Sequence, residues 1–249
     1  MIEVIKSRLE DILAYRSMYL DELNAQSRFH ACHQRGWTDS YRIYLNGQSI
    51  GYVSVKGKDH TEDRDSVFEL FILPAFRKNL YSIYTKILQN TQVRFIECQS
   101  NDAPITQMLF ECAHSISTDT ILFKKGEASH LEGLNMEFRA RNPEDKIFEH
   151  TSEPIGDYVI SVKGTVVATG GYLTHYNPPV VDLYMEVDPG HRQKGYGSYL
   201  IQELIAVCQR NAKIPAARCG IKNQASRACL LKGGMQLAGY MISGSVNGH

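Results

Sequence analysis

The chain has 249 residues, 43% of them hydrophobic, enough to bury one large core or two of ordinary domain size. Lys plus Arg and Asp plus Glu number 27 each, which argues against the basic footprint of a nucleic-acid or anionic-membrane binder and confines any anion site to a local arrangement. No apolar run approaches the ~20 residues that span a bilayer, and the opening MIEVIKSRLED is charged where a signal peptide is apolar, so a cytoplasmic protein is expected.

In chain order, the first predicted element is a helix over roughly Ser7 to Phe29, with Leu9, Ile12, Leu13, Leu20 and Leu23 on one face. HACH at His30 to His33 lacks a second ligand pair at workable spacing, so it reads as a helix end and no metal is expected. The six cysteines (Cys32, Cys98, Cys112, Cys208, Cys219, Cys229) have no paired spacing and read as free thiols. YRIYLNGQSIGYVSV predicts a hairpin turning at Asn46-Gly47. SVFELFILPAFRKNLYSIYTKIL predicts a strand ending at Leu73-Pro74, a loop carrying Arg77, and a helix with Ile83, Tyr84, Ile87 and Leu88 inside. VRFIECQSND closes the first half as a short strand ending near Asn101. Polar KKGEASHLEG, Lys124 to Gly133, marks a boundary; domains of 1–128 and 129–249 are expected.

The second half repeats this order. NMEFRARN is strand-like, YVISVKGTVVATGGYL predicts a hairpin turning at Lys163-Gly164, and VVDLYMEVDPGHRQKGYGSYLIQEL predicts strand, loop and helix. Leu200, Ile201, Leu204, Ile205 and Cys208 form its buried stripe. PAARCGIKNQ is a strand closing on Asn223. Pro74 and Pro189, like Arg77 and Arg192, are 115 positions apart, and Asn101 and Asn223 are 122 apart. With the hairpins at Asn46-Gly47 and Lys163-Gly164 these make four matches in one order, which indicate duplication. Each half is a mixed α/β layer.

The two loops differ where chemistry is concerned. After its strand the second half reads Arg192-Gln193-Lys194-Gly195-Tyr196-Gly197-Ser198. A loop opening a helix presents free backbone N–H groups and the positive end of the helix dipole, and glycine lets an anion approach. Arg192 and Lys194 add charge suited to phosphate. The glycines alone are equally compatible with a plain helix-start turn. No Gly-Lys-Ser/Thr closes a Walker loop, and Leu200 stands where a dinucleotide fingerprint has its third glycine. The first half reads Arg77, Leu80, Ser82 at the matching places, so that a leucine stands where phosphate would lie.

The order strand, P-x-x-R-x-x-G-x-G, helix, strand, Asn223, helix, Gly233-Gly234-Met235 resembles the GCN5-related N-acetyltransferase (GNAT) superfamily, closely over about 90 residues of the second half and in outline over the first. The resemblance implies two tandem GNAT-like domains, each a mostly antiparallel sheet with a central splay flanked by helices, the first a degenerate copy. It implies acetyl-CoA as co-substrate, with pantetheine against the backbone of Met185, Glu186 and Val187. The pyrophosphate would lie on Arg192, Gln193, Lys194, Gly195, Tyr196, Gly197 and Ser198, and Asn223, Ser226 and Arg227 would touch the cofactor. Lys232 is a further candidate for its outer phosphates.

Amide formation needs a base, an oxyanion donor and an acid for the thiolate. Strand alternation puts Asp182, Tyr184 and Glu186 on one face, and by family resemblance Glu186 or Asp182 would be the base, with a strand N–H near Val187 as oxyanion donor. The family tyrosine seven residues after its Asn is Leu230 here, leaving Cys229, Ser226, Tyr196 and Tyr199 as alternative acids. Cys219 reads as a core residue. The expected activity is acetyl transfer to an amine of a small molecule or peptide, with no nucleic-acid or membrane partner. A non-catalytic acyl-CoA-binding or regulatory module, or a transferase of longer acyl groups, is the alternative. The second half has little chain to wall an acceptor cleft, so the first half or a second subunit of a homodimer is expected to complete it.

Overall fold

The computed structural model describes residues 1–23, 29–133 and 135–246. The chain forms two compact units: Met1–Thr120 with the chain from Gly239 onward, and Ile121–Ala238. The units are therefore cut a few residues before the polar boundary segment, and the last strand returns to the first unit.

The first unit contains β1 (Ile2–Ser7), α1 (Leu9–Leu23), α2 (Phe29–Gln34), β2 (Thr38–Leu45), β3 (Gln48–Lys56), β4 (Ser66–Ile72), α3 (Leu80–Asn90), β5 (Phe95–Gln99), α4 (Ala103–Cys112) and the start of β6 (Ala113–Lys125). Its strand order is β1-β2-β3-β4-β5, followed by the last strand of the chain and then β6. The β2–β3 hairpin turns at Asn46 and Gly47, both with positive φ (51° and 80°), as a two-residue turn between right-twisted strands requires. β3 and β4 are buried almost throughout, because helices cover both faces. On one face Ile83, Tyr84 and Ile87 of α3 and Ile105, Met108 and Leu109 of α4 pack on Val53, Val55 and Leu70. On the other, Ile12 and Tyr19 of α1 meet Tyr52 and Phe71.

Two expectations for this end of the chain are corrected. β1 pairs along its length with β2, so a strand precedes the helix. The helix then ends at Leu23 in the described residues, Asn24–Arg28 lying outside them, and α2 is separate. Its buried face is Ile12, Arg16 and Tyr19, while Leu13 is 51% exposed. Arg16 turns inward because Glu69 on β4 is buried beneath it: the guanidinium donates to both carboxylate oxygens at 3.0 to 3.3 Å. His33 and Tyr52 complete the carboxylate's shell at 3.0 and 2.9 Å. Burial alone would raise the Glu69 pKa, but hydrogen bonding to His33 and the Arg16 charge bring it down to about 2. His33 of HACH is thus a hydrogen-bond partner of the buried Glu69.

The second unit contains the end of β6, β7 (Glu137–Ala140), β8 (Tyr158–Val162), β9 (Thr165–Leu173), β10 (Val180–Val187), α5 (Tyr196–Arg210), β11 (Ile214–Gly220), α6 (Gln224–Lys232) and the start of β12 (Met235–Val246). The strand order is β6-β11-β10-β9-β8-β7. Its hairpin turns at Lys163 and Gly164 with φ of 50° and 79°, nearly those of the first hairpin. Leu200, Ile201, Leu204, Ile205 and Cys208 are buried on α5, the stripe the sequence predicts. β6 and β12 each run through both units. In the first, Met241–Ser245 of β12 pair antiparallel with Gln99–Phe95 of β5.

Candidate active site

The two halves share one more feature that positions chemistry. In the second unit β10 and β11 run parallel, but their pairing covers only Val180–Asp182 against Ile214–Ala216. From Leu183 onward β10 keeps its antiparallel partner β9, up to Val187 against Ala168, and has left β11. The sheet opens there, and the backbone groups of Met185–Val187 on the β11 side are released from the ladder. In the first unit the β4–β5 pairing likewise stops after Ser66 and Val67, the positions 115 before Val181 and Asp182.

The loops at the ends of these strands diverge. After β10 a single 3-10 turn, Pro189–His191, leads to Gln193 with φ 64° and Gly195 with φ 87°. Gly195 is the residue that caps α5, and a Cβ placed on it would meet nothing within 4 Å. This position needs glycine for its backbone, and the space above it is open. The first N–H groups of α5, at Tyr196, Gly197 and Ser198, have no intrahelical acceptor, and the first turn carries no acidic residue. Arg192, Gln193 and Lys194 are exposed beside them. Arg192 Nε donates to the Val187 carbonyl (3.3 Å) and Lys194 Nζ to the Gly190 carbonyl (3.3 Å), contacts that place both cations at the helix end.

Gly197 serves a different purpose from the one its motif suggests. A Cβ there would lie 2.9 Å from Cys229 Sγ, 3.2 Å from Val187 and 3.3 Å from Met185 Sδ. Glycine at 197 lets α5 approach β10 and α6; the nest proper is built around Gly195.

In the first unit the same stretch is a 3-10 helix, Pro74–Asn79, running directly into α3. Leu80, at the position of Gly195, has an ordinary helical φ of −51° and is buried in the core. The phosphate position is therefore not filled by the leucine side chain; the loop itself has closed into a helical turn. Arg77 Nε donates to the Ile72 carbonyl (2.9 Å), repeating the Arg192–Val187 contact 115 residues earlier, but its Nη2 donates to Glu22 Oε2 at 2.6 Å. Only a cavity of about 80 Å³ persists there, lined by Tyr19, Glu22, Phe71, Arg77 and Asp102 among others. Asp102 accepts from Tyr19 (2.9 Å), and burial raises its pKa to about 7.

Hydrogen bonding separates the two candidate bases of β10. Glu186 is 5% exposed, and its carboxylate accepts from Thr151 N and Oγ1 (3.0 and 2.9 Å), Ser152 N (3.2 Å) and Glu153 N (3.0 Å). Burial works to raise its pKa, yet these donors outweigh it and bring the value down to about 2. Such a carboxylate anchors the connection between β7 and β8 and is a weak proton acceptor. Asp182 is also buried, with Oδ2 3.2 Å from Arg218 Nε of β11 and 3.2 Å from His175 Nε2. Nothing in the local pattern pointed to Arg218, to His175, or to the Thr151–Glu153 contacts.

Among the other site residues, the Asn223 side chain caps α6 by accepting from Ser226 N (3.0 Å), and Arg227 is exposed on its first turn. Leu230 is buried at 3%, in the place of the expected tyrosine. Cys229 lies against Gly197, and burial pushes its thiol up, with a hydrogen bond to Ser198 opposing. Tyr199 is turned onto Gly133. Cys219 is a buried strand residue whose thiol burial also raises.

Family profiles match both halves: residues 126–235 match the acetyltransferase (GNAT) family, and residues 8–126 match an acetyltransferase (GNAT) domain. The chain belongs to the GNAT superfamily. It is a tandem GNAT acetyltransferase, and acyl transfer is the activity its two domains imply. No curated protein matches it in sequence. Among solved structures, a GNAT-family acetyltransferase from Colwellia psychrerythraea is similar over 99% of this chain and 100% of its own, with TM-score 0.70 and 12% identity. A GCN5-related N-acetyltransferase from Sphaerobacter thermophilus covers 100% and 97% (TM-score 0.56, 10% identity). A tandem GNAT protein of the clavulanic acid biosynthesis pathway covers 99% of each chain (TM-score 0.55, 8% identity). At these identities the likeness shows the tandem GNAT fold. No described helix is long and apolar enough to cross a membrane.

Proposed function

We propose that this tandem GNAT protein takes an acetyl group from acetyl-CoA and delivers it to an amine, and that its second unit alone binds the co-substrate. The observation that carries this reading is the combination, in one unit only, of a strand pair that opens after Asp182 and an unfilled left-handed Gly195 cap at the strand's end. The backbone of Met185, Glu186 and Val187 would run beside the pantetheine arm. The N–H groups of the Arg192–Ser198 segment would hold the pyrophosphate, aided by the Arg192 and Lys194 charges. Asn223, Ser226 and Arg227 lie at the start of α6, the strand-to-helix step that follows β11. The first unit shares the opening but has its loop closed and its arginine paired, which supports a scaffold role.

Calorimetric titration of the intact protein with CoA should give one site per chain. Arg192→Ala should weaken binding several-fold, more strongly at low salt than at high. Two equivalent sites, or wild-type affinity in the variant, would contradict the assignment.

A further inference from the structure

Glu186 has its lone pairs committed to four donors, so the group that takes the proton from an acceptor has to be sought elsewhere on the same face. Asp182 stands at the last paired position before β10 and β11 part. Its Oδ1 is buried without a hydrogen-bond partner, although Oδ2 has both Arg218 and His175 beside it. His175 lies in the connection between β9 and β10, its ring edge-on to Tyr176 at 4.8 Å. Its Nε2 faces the carboxylate at ion-pair distance but lacks the alignment of a hydrogen bond, and that nitrogen is buried too. Two buried polar atoms without a protein partner in one cluster call for an explanation, and a catalytic role is one that native structures offer. The histidine side chain is 22% exposed. Since Nε2 is the buried nitrogen, the ring's exposure lies elsewhere on it, and among the described residues Nδ1 has no hydrogen-bond partner.

Resting on the acetyl-CoA reading above, we propose that His175 is the general base of the acyl transfer and that Asp182 is the positioning residue behind it. The Asp182 carboxylate, 3.2 Å from Nε2, favours a proton on that nitrogen and leaves Nδ1 to accept one. The other charged groups around the pair are Arg218 from β11, which fixes the carboxylate, and Glu153 from the β7–β8 connection, whose interaction with Asp182 is repulsive. In the step itself, the neutral amine nitrogen bonds to the thioester carbonyl carbon while its proton passes to His175 Nδ1. The C–S bond then breaks with its electron pair on sulfur, and the imidazolium returns the proton to the CoA thiolate. An acceptor arriving as an ammonium loses its first proton to solvent before attack.

The test uses the full chain, with water, benzylamine and spermidine as acceptors and acetyl-CoA as donor. His175→Gln should lower turnover ~10²–10⁴-fold, the range of a general base, leave CoA affinity within about twofold, and remove the ascending limb of the pH–rate profile. Added imidazole should restore part of the activity of His175→Gly. Asp182→Asn should lower kcat at least tenfold with the KM for acetyl-CoA unchanged, and Asp182→Glu should restore part of it, a pattern that a merely structural aspartate would not give. Independently of turnover, the His175 ring resonances should move on saturation with CoA, and they should differ between wild type and Asp182→Asn. Full activity of His175→Gln, or ring resonances indifferent to both CoA and Asp182→Asn, would overturn the assignment while leaving acetyl-CoA binding intact. Failure of the wild-type protein to bind CoA would overturn both.

Discussion

Replacing Glu186 by Gln separates an anchoring role from a catalytic one, because the two differ in what they lose. The carboxylate accepts four hydrogen bonds, three from consecutive backbone N–H groups. A glutamine can keep those reaching one oxygen, but its amide NH₂ then faces donors, so two charge-assisted bonds are lost at ~1.5 kcal/mol each. The depressed pKa points to the same scale: an ordinary carboxyl at 4.5 brought down to about 2 in the folded chain corresponds to about 3 kcal/mol. The pKa is depressed, so this stabilisation is complete above the unfolded group's value of 4.5 and is lost as pH falls towards about 2. At pH 7 Glu186→Gln should therefore cost about 2–3 kcal/mol, lowering the melting temperature by roughly 4–10 °C. The amides of Thr151, Ser152 and Glu153 should exchange faster with solvent, and the stability gap to wild type should close on acidification. Unchanged stability and amide protection, with a large fall in turnover, would refute the anchoring role and restore Glu186 as the base.

Glu69→Gln should destabilise the first unit by about 3–5 kcal/mol, seen in urea unfolding, because it leaves Arg16 and His33 around a neutral group in a buried site. Gly197→Ala should cost about 1–3 kcal/mol through contact with Cys229 and Val187, read as a shift in unfolding midpoint. Gly195→Ala places a side chain at φ 87° with no steric neighbour, so its cost of about 1–2 kcal/mol is backbone strain, and calorimetry should show weakened CoA binding as well. Leu80→Gly in the first unit should create no second CoA site, since Arg77 stays paired with Glu22; a stoichiometry of two in this variant would contradict that.

What the sequence made legible was whatever depends on local period and punctuation. Asn46-Gly47 and Lys163-Gly164 adopt the predicted turns because positive φ at both positions is a local demand. The stripe of α5 is buried as read and that of α3 is too except for the half-buried Leu88, since one face of a helix must be. The loss of the first loop was visible in Leu80, although the reason proved to be a closed helical turn. β1 was missed because six residues at the edge of a sheet carry too short an alternation, IEVIKS, to stand against the helical pattern that follows. Arg16 was missed for the opposite reason: a charge on a helix reads as surface, and only the fold brings Glu69 beneath it. Glu186 and Asp182 could not be ranked from strand alternation, which gives both the same face. Their roles are set by long-range partners, the Thr151–Glu153 backbone for one and His175 with Arg218 for the other.

Amide hydrogen exchange of the intact protein with and without CoA tests the central claim most directly, because it reports where the co-substrate sits as well as whether it binds. The account predicts new protection at Met185–Val187, at Arg192–Ser198 and at the start of α6 from Asn223, with the Pro74–Ser82 stretch unchanged. Protection at Pro74–Ser82, or binding that leaves Arg192–Ser198 as exchangeable as before, would contradict it.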